Sequence, residues 1–157
     1  MKPEHVLPKD IERRSFEIIR SELARPLDPK LAPIVMRVIH TTADFEYADS
    51  LYFSDDALEA AETAFRNGVT VVTDTTMAMA GINKPALAKL NSSASCYIAD
   101  ADVAELAAAN GTTRASAAVD KAARLDGKPI LAIGNAPTAL IRICELVKSG
   151  ELSPALV

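Results

Sequence analysis

The chain has 157 residues, 49% apolar and 24% charged, close to the average soluble globular protein, and its length suits one domain better than two. Seventeen Lys and Arg against 21 Asp and Glu leave a net charge of −4, which argues against a dedicated nucleic-acid binder. No apolar run reaches the roughly 18 residues of a membrane span, and residues 1–14 are too polar for a signal peptide.

In chain order, the spacing of Phe16, Ile19 and Leu23 predicts a first helix over 11–23 with Asp10 as its N-cap. Pro26, Pro29 and Pro33 break the chain, and a second helix begins near Lys30 or Pro33. It carries Ile34, Val35, Val38 and Ile39 and, one turn apart, Arg37 and His40. A third helix is expected from Ser54 to a stop at Asn67-Gly68, with Asp55 and Asp56 in its first turn.

From there short β-branched runs alternate with helices. Residues 69–73, 95–98 and 129–133 read as buried strands. Residues 101–109 and 113–125, rich in the chain's 28 alanines, read as helices. Pro137 opens a last helix that reaches Lys148 and ends at Gly150. Strands separated by helices imply an α/β domain spanning 1–157, with a mainly parallel sheet and helices on both faces, a three-layer αβα arrangement. The closing residues, Ser153-Pro154-Ala155-Leu156-Val157, look like a strand just beginning.

Ligands of such sheets bind beyond the carboxyl ends of the strands. Three segments therefore stand out: Asp74-Thr75-Thr76-Met77, Ala99-Asp100 and Gly134-Asn135-Ala136-Pro137-Thr138. The last is a strand–loop–helix transition whose free N–H groups could hold an anion such as a carboxylate. It lacks the lysine and further glycines of a nucleotide-phosphate loop, so a nucleotide-binding domain is remote. The side chain of Asp74 reads as a helix N-cap. Arg114, at the start of a helix where cations are disfavoured, hints at an anionic partner.

Of two histidines, His5 lies in the polar N-terminal tail, leaving His40 as the proton-transfer candidate. A neighbouring Arg37 cation favours neutral imidazole there and could also pair with a ligand carboxylate. Spacing alone favours a helix-terminal histidine that caps carbonyls. Asp44, Glu46 and Asp49 follow His40, but they read as a solvated face and no metal site is expected. Cys96 and Cys144, 48 residues apart, show neither metal nor redox spacing and read as reduced core residues in a cytosolic setting.

Several segments carry a family likeness. Arg14-Ser15-Phe16-Glu17-Ile18-Ile19 and Met36-Arg37-Val38-Ile39-His40 closely resemble the opening of the precorrin-8X methylmutases, also called cobalt-precorrin-8 methylmutases. So do Phe53-Ser54, residues 74–77 with Gly81, residues 113–118 and residues 133–140, in the family's order, from Glu12 to Val157. The resemblance implies an isomerase that moves a methyl group from C11 to C12 of a corrin precursor on the route to cobalamin. It implies precorrin-8X or cobalt-precorrin-8 as substrate, a hydrogenobyrinate- or cobyrinate-type product, no cofactor, and a homodimer. The family's catalytic histidine matches His40, and its substrate-contacting serine and arginine match Ser15 and Arg37. Thr76, Arg114 and Asn135 are carried over as neighbours of the ring. Family members continue past the position of Val157, so the domain is expected to be shortened at its C-terminus. The alternative is a non-catalytic corrin-binding protein, which would keep the arginines and need no proton donor.

Overall fold

A computed structural model describes Leu7 and residues 10–157; His5 lies outside the described residues. The chain divides into two compact units, Met1–Ser54 and Asp55–Val157.

The first unit is helical, with α1 (Ile11–Glu22), α2 (Ala32–Thr42) and the four-residue α3 (Tyr47–Ser50). Ile19 of α1 and Val35, Met36 and Ile39 of α2 are buried together, and Phe16, Leu23 and Phe45 pack against them. The spacing that predicted two amphipathic helices is thus the spacing that builds this core. Asp10 precedes α1 but does not cap it. Its backbone is already helical, and its carboxylate accepts from Arg13 at 3.2 Å instead of from a backbone N–H. Two threonines finish α2. The Thr41 and Thr42 hydroxyls donate to the carbonyls of Arg37 and Val38 at 2.9 and 2.8 Å, and Ala43 turns left-handed at φ 56°.

The second unit opens with α4 (Ala57–Arg66), three residues later than Ser54, because Asp55 and Asp56 form the preceding turn. Strand β1 (Thr70–Thr73) follows, then α5 (Thr76–Gly81), α6 (Lys84–Lys89), β2 (Ser93–Ser95), α7 (Ala101–Ala109), α8 (Arg114–Ala122), β3 (Ile130–Ala132) and α9 (Pro137–Ser149). The three strands are parallel in the order β2-β1-β3. Their alternation sorts the core. Val72 and Leu131 point toward Val119 of α8 and Ile143 of α9. Val71 and Ile130 point the other way, toward Leu87 of α6 and Phe65 of α4. Both faces are therefore covered by helices, as the sequence implies for a parallel sheet.

Two expectations are corrected here. Strand β2 lies two residues before the predicted 95–98, on Ser-Ala-Ser instead of the more β-prone Cys-Tyr-Ile. The register of β1 decides this: Thr70, Val71 and Val72 pair with Ser93, Ala94 and Ser95. Tyr97 turns into the helical core instead. The cysteines are free, as expected, but Cys96 is only half-buried and Cys144 is exposed on α9, so neither is a core residue. At the C-terminus the expected beginning strand is realised as a parallel bridge between Leu156 and Ile130. No helix among the described residues is long and apolar enough to cross a membrane.

Candidate active site

Ser15, Arg37 and His40 lie in the first unit. Phe16 links the latter two: the His40 ring meets its edge at 5.8 Å and 88°, and the Arg37 guanidinium lies over its face at 5.7 Å. Arg37 forms an ion pair with Glu12 of α1. Glu12 and the half-buried Ser15 sit one turn apart, on one face of α1. The Thr41 and Thr42 hydroxyls donate to the carbonyls of Arg37 and Val38, one turn before the end of α2, and His40 caps no carbonyl among the described residues. Its exposed ring makes no hydrogen bond to any described residue. An imidazole that faces solvent and packs against one aromatic ring is an arrangement that can exchange a proton with a ligand.

Thr76, Arg114 and Asn135 belong to the second unit, where α5, α8 and α9 each begin. Thr75 caps α5, its hydroxyl accepting from Ala78 N–H at 3.1 Å, and Thr76 follows as an exposed first residue. Thr113 caps α8 in the same way through Ser116 N–H, also at 3.1 Å. Its hydroxyl lies 3.0 Å from that of Thr138 in the first turn of α9, so hydroxyls join the starts of these two helices. Arg114 follows Thr113, exposed and with no ion-pair partner among the described residues.

Asp74 departs most from its expected role. It does not cap α5. It is buried, 5% exposed, and reaches across the sheet to the loop between β3 and α9. There its carboxylate accepts three backbone N–H bonds, from Gly134 at 3.2 Å and from Asn135 and Ala136 at 2.8 Å each. Burial alone would raise its pKa; the three donors outweigh burial and hold the carboxyl below its ordinary value. The N–H groups expected to receive a ligand's carboxylate thus receive one from the chain itself. The side chain of Asn135 remains exposed.

Asp74's partners, 60 to 62 residues away, and Glu12 as the partner of Arg37 were not foreseen from the sequence. Neither pairing leaves a local signal. Phe16 lies within the Arg14–Ile19 segment that carries the family likeness, but nothing local marks it as the contact of His40.

Comparison with known proteins bears on these observations. The model of the precorrin-8X methylmutase family matches residues 10–157. The chain belongs to that family. It is 45% identical over 157 residues to a cobalt-precorrin-8 methylmutase of Priestia megaterium, with 99% of this chain and 70% of that protein covered. It is also 45% identical over 146 residues to a cobalt-precorrin-8 methylmutase of Salmonella typhimurium, covering 88% of this chain and 69% of the relative. The crystal structure of a precorrin-8X methylmutase from Thermus thermophilus superposes with a TM-score of 0.81 at 36% identity, over 94% of this chain and 72% of that one. This precorrin-8X methylmutase family member is an isomerase of corrin synthesis that transfers a methyl group within one molecule. Family membership decides against the non-catalytic alternative.

Proposed function

We propose that the chain moves the methyl group of precorrin-8X or cobalt-precorrin-8 from C11 to C12, with His40 as proton donor and acceptor. The observation that carries this reading is the ring of His40: exposed, braced by Phe16, and without a hydrogen-bond partner among the described residues. A 1,5-sigmatropic shift needs no nucleophile. It needs the conjugated ring biased toward product, and protonation of a ring position makes the acceptor carbon electron-poor. A positioned histidine can deliver that proton and recover it once the methyl has moved.

The remaining residues bind and orient. Arg37 and Glu12 are both more than half exposed, at 63% and 52%, so their ion pair is weak and a substrate carboxylate can displace Glu12 at little cost. Ser15 offers a hydroxyl on the same helix face as Glu12. Arg114, lacking an acidic partner among the described residues, suits another carboxylate of the macrocycle. Thr76 and Asn135 add neutral hydrogen-bonding groups. Contacts at the ring's periphery thereby orient the reacting carbons.

Replacing His40 with alanine tests the central role. The turnover of H40A should fall by about a hundredfold or more, the usual contribution of general acid–base catalysis. Binding of the corrin product, followed by its absorbance, should stay within a few-fold of the parent. Turnover equal to the parent's would remove His40 from the chemistry.

A further inference from the structure

The loop between β3 and α9 is held by an unusual tie. Asp74 stands just past the carboxyl end of the central strand, and its partners stand just past the end of the neighbouring strand. Both oxygens are used: Gly134 donates to Oδ1, while Asn135 and Ala136 converge on Oδ2. Backbone amides at the start of a 13-residue helix make an anion site, and here the chain fills that site with its own carboxylate. Two consequences follow. The position of Asn135 is set by a residue 61 places earlier in the chain. The helix start is no longer open to a carboxylate of the substrate, which leaves that recognition to cationic side chains.

We propose that Asp74 is a positioning residue for the methyl transfer: its carboxylate fixes the turn at residues 134–136 and so holds Asn135 in place to contact the macrocycle. This rests on the reading of Asn135 as a substrate neighbour. Asp74 itself is buried and touches the loop, not the reacting carbons, so its effect should fall on binding rather than on the chemical step.

The shape of asparagine makes a sharp probe. Its single carbonyl oxygen can serve either the Gly134 donor or the Asn135–Ala136 pair, and its NH2 must then oppose the N–H left over. In D74N, KM should rise about tenfold, the scale of one charge-assisted hydrogen bond, with kcat within about threefold. If Asp74 acts through Asn135, the D74N/N135A double variant should bind no more weakly than N135A alone. D74A leaves three unserved donors around a small void, and added acetate should lower its KM back toward the parent's.

Each result speaks to a different claim. Multiplying effects of D74N and N135A, with N135A impaired on its own, would overturn the positioning role and leave Asn135 as a contact. A silent N135A would overturn Asn135 as a contact, and with it the route assigned to Asp74. A D74N that melts earlier yet keeps its KM would show a tie that serves stability alone. Should D74N fold poorly, the acetate response of D74A still decides, and an unchanged KM with acetate counts against the proposal.

Discussion

Buried in the second unit, the Asp74 carboxylate replaces water with three backbone donors. The same geometry makes it acid-sensitive. Its folded pKa lies below the ordinary aspartate value of about 3.9, so the unfolded chain binds this proton more readily. The stability it confers is complete above the unfolded value and disappears as pH falls through the lower, folded one. D74N lacks this titration. The stability gap between the parent and D74N should therefore be constant from about pH 7 to 5 and shrink below about pH 4. Urea titrations at several pH values measure it, and a gap that stays constant into acid would mean the carboxylate is not held as described. No local reading could have found this role. Asp74 directly precedes Thr75-Thr76, where an Asp side chain commonly caps a helix; Thr75 does the capping, and the partners of Asp74 come from another strand. His40 is the opposite case. A motif singled it out where spacing alone favoured a capping histidine, and in the structure its ring caps no carbonyl among the described residues.

At the scale of elements, the long periodic helices and the β-branched run at β1 were legible to within three residues. The short pieces were not. Helices α5 and α6 have six residues each, too few for a period, although Thr75, Asn83 and Pro85 are the start signals that mark them. Asn67-Gly68 was readable as a stop, and the structure supplies its reason. Gly68 takes φ +74°, and a Cβ there would lie 2.8 Å from the carbonyl oxygen of Asn91. A backbone atom in the loop leading to β2 cannot swing aside. Gly127 has a similar sign of φ, +90°, but nothing lies within 4 Å of its would-be Cβ. The two glycines thus separate conformational strain from collision. Gly127→Ala should cost about 1–2 kcal/mol, the left-handed penalty alone. Gly68→Ala should cost more, about 3 kcal/mol, since the β1–β2 approach must also open. Thermal or urea denaturation of the two variants compares them directly, and equal losses would show that the Asn91 contact yields freely.

At the scale of the molecule, sequence pattern conveys the layers but not the order of strands. Any of several arrangements satisfies three buried runs separated by helices, and only pairing chooses β2-β1-β3. That order places β1 at the centre and leaves the outer edge of β3 to the residues that end the chain. Ala155 N–H donates to the Pro129 carbonyl at 2.8 Å, and Leu131 N–H donates to the Leu156 carbonyl at 2.9 Å. The side chain of Leu156 also packs against the cluster containing Val71 and Ile130. An unpaired edge strand is weakly held, so these two bonds and one apolar contact matter to β3, the strand that leads into the Asp74-bound loop. Removal of Leu156 and Val157 takes away the acceptor for Leu131 N–H and the packing of Leu156. Hydrogen exchange resolves the outcome residue by residue. In the shortened chain the Leu131 amide should exchange about tenfold faster or more, the equivalent of one lost hydrogen bond plus apolar burial. The Ser93 amide, bonded to the Val69 carbonyl at 3.0 Å on the far side of the sheet, should change only as far as global stability changes. Equal acceleration at both positions would mean that β3 and β2 open together as one cooperative sheet. Acceleration confined to Leu131 would establish the terminal bridge as a local clamp on β3, the strand that sets the start of α9.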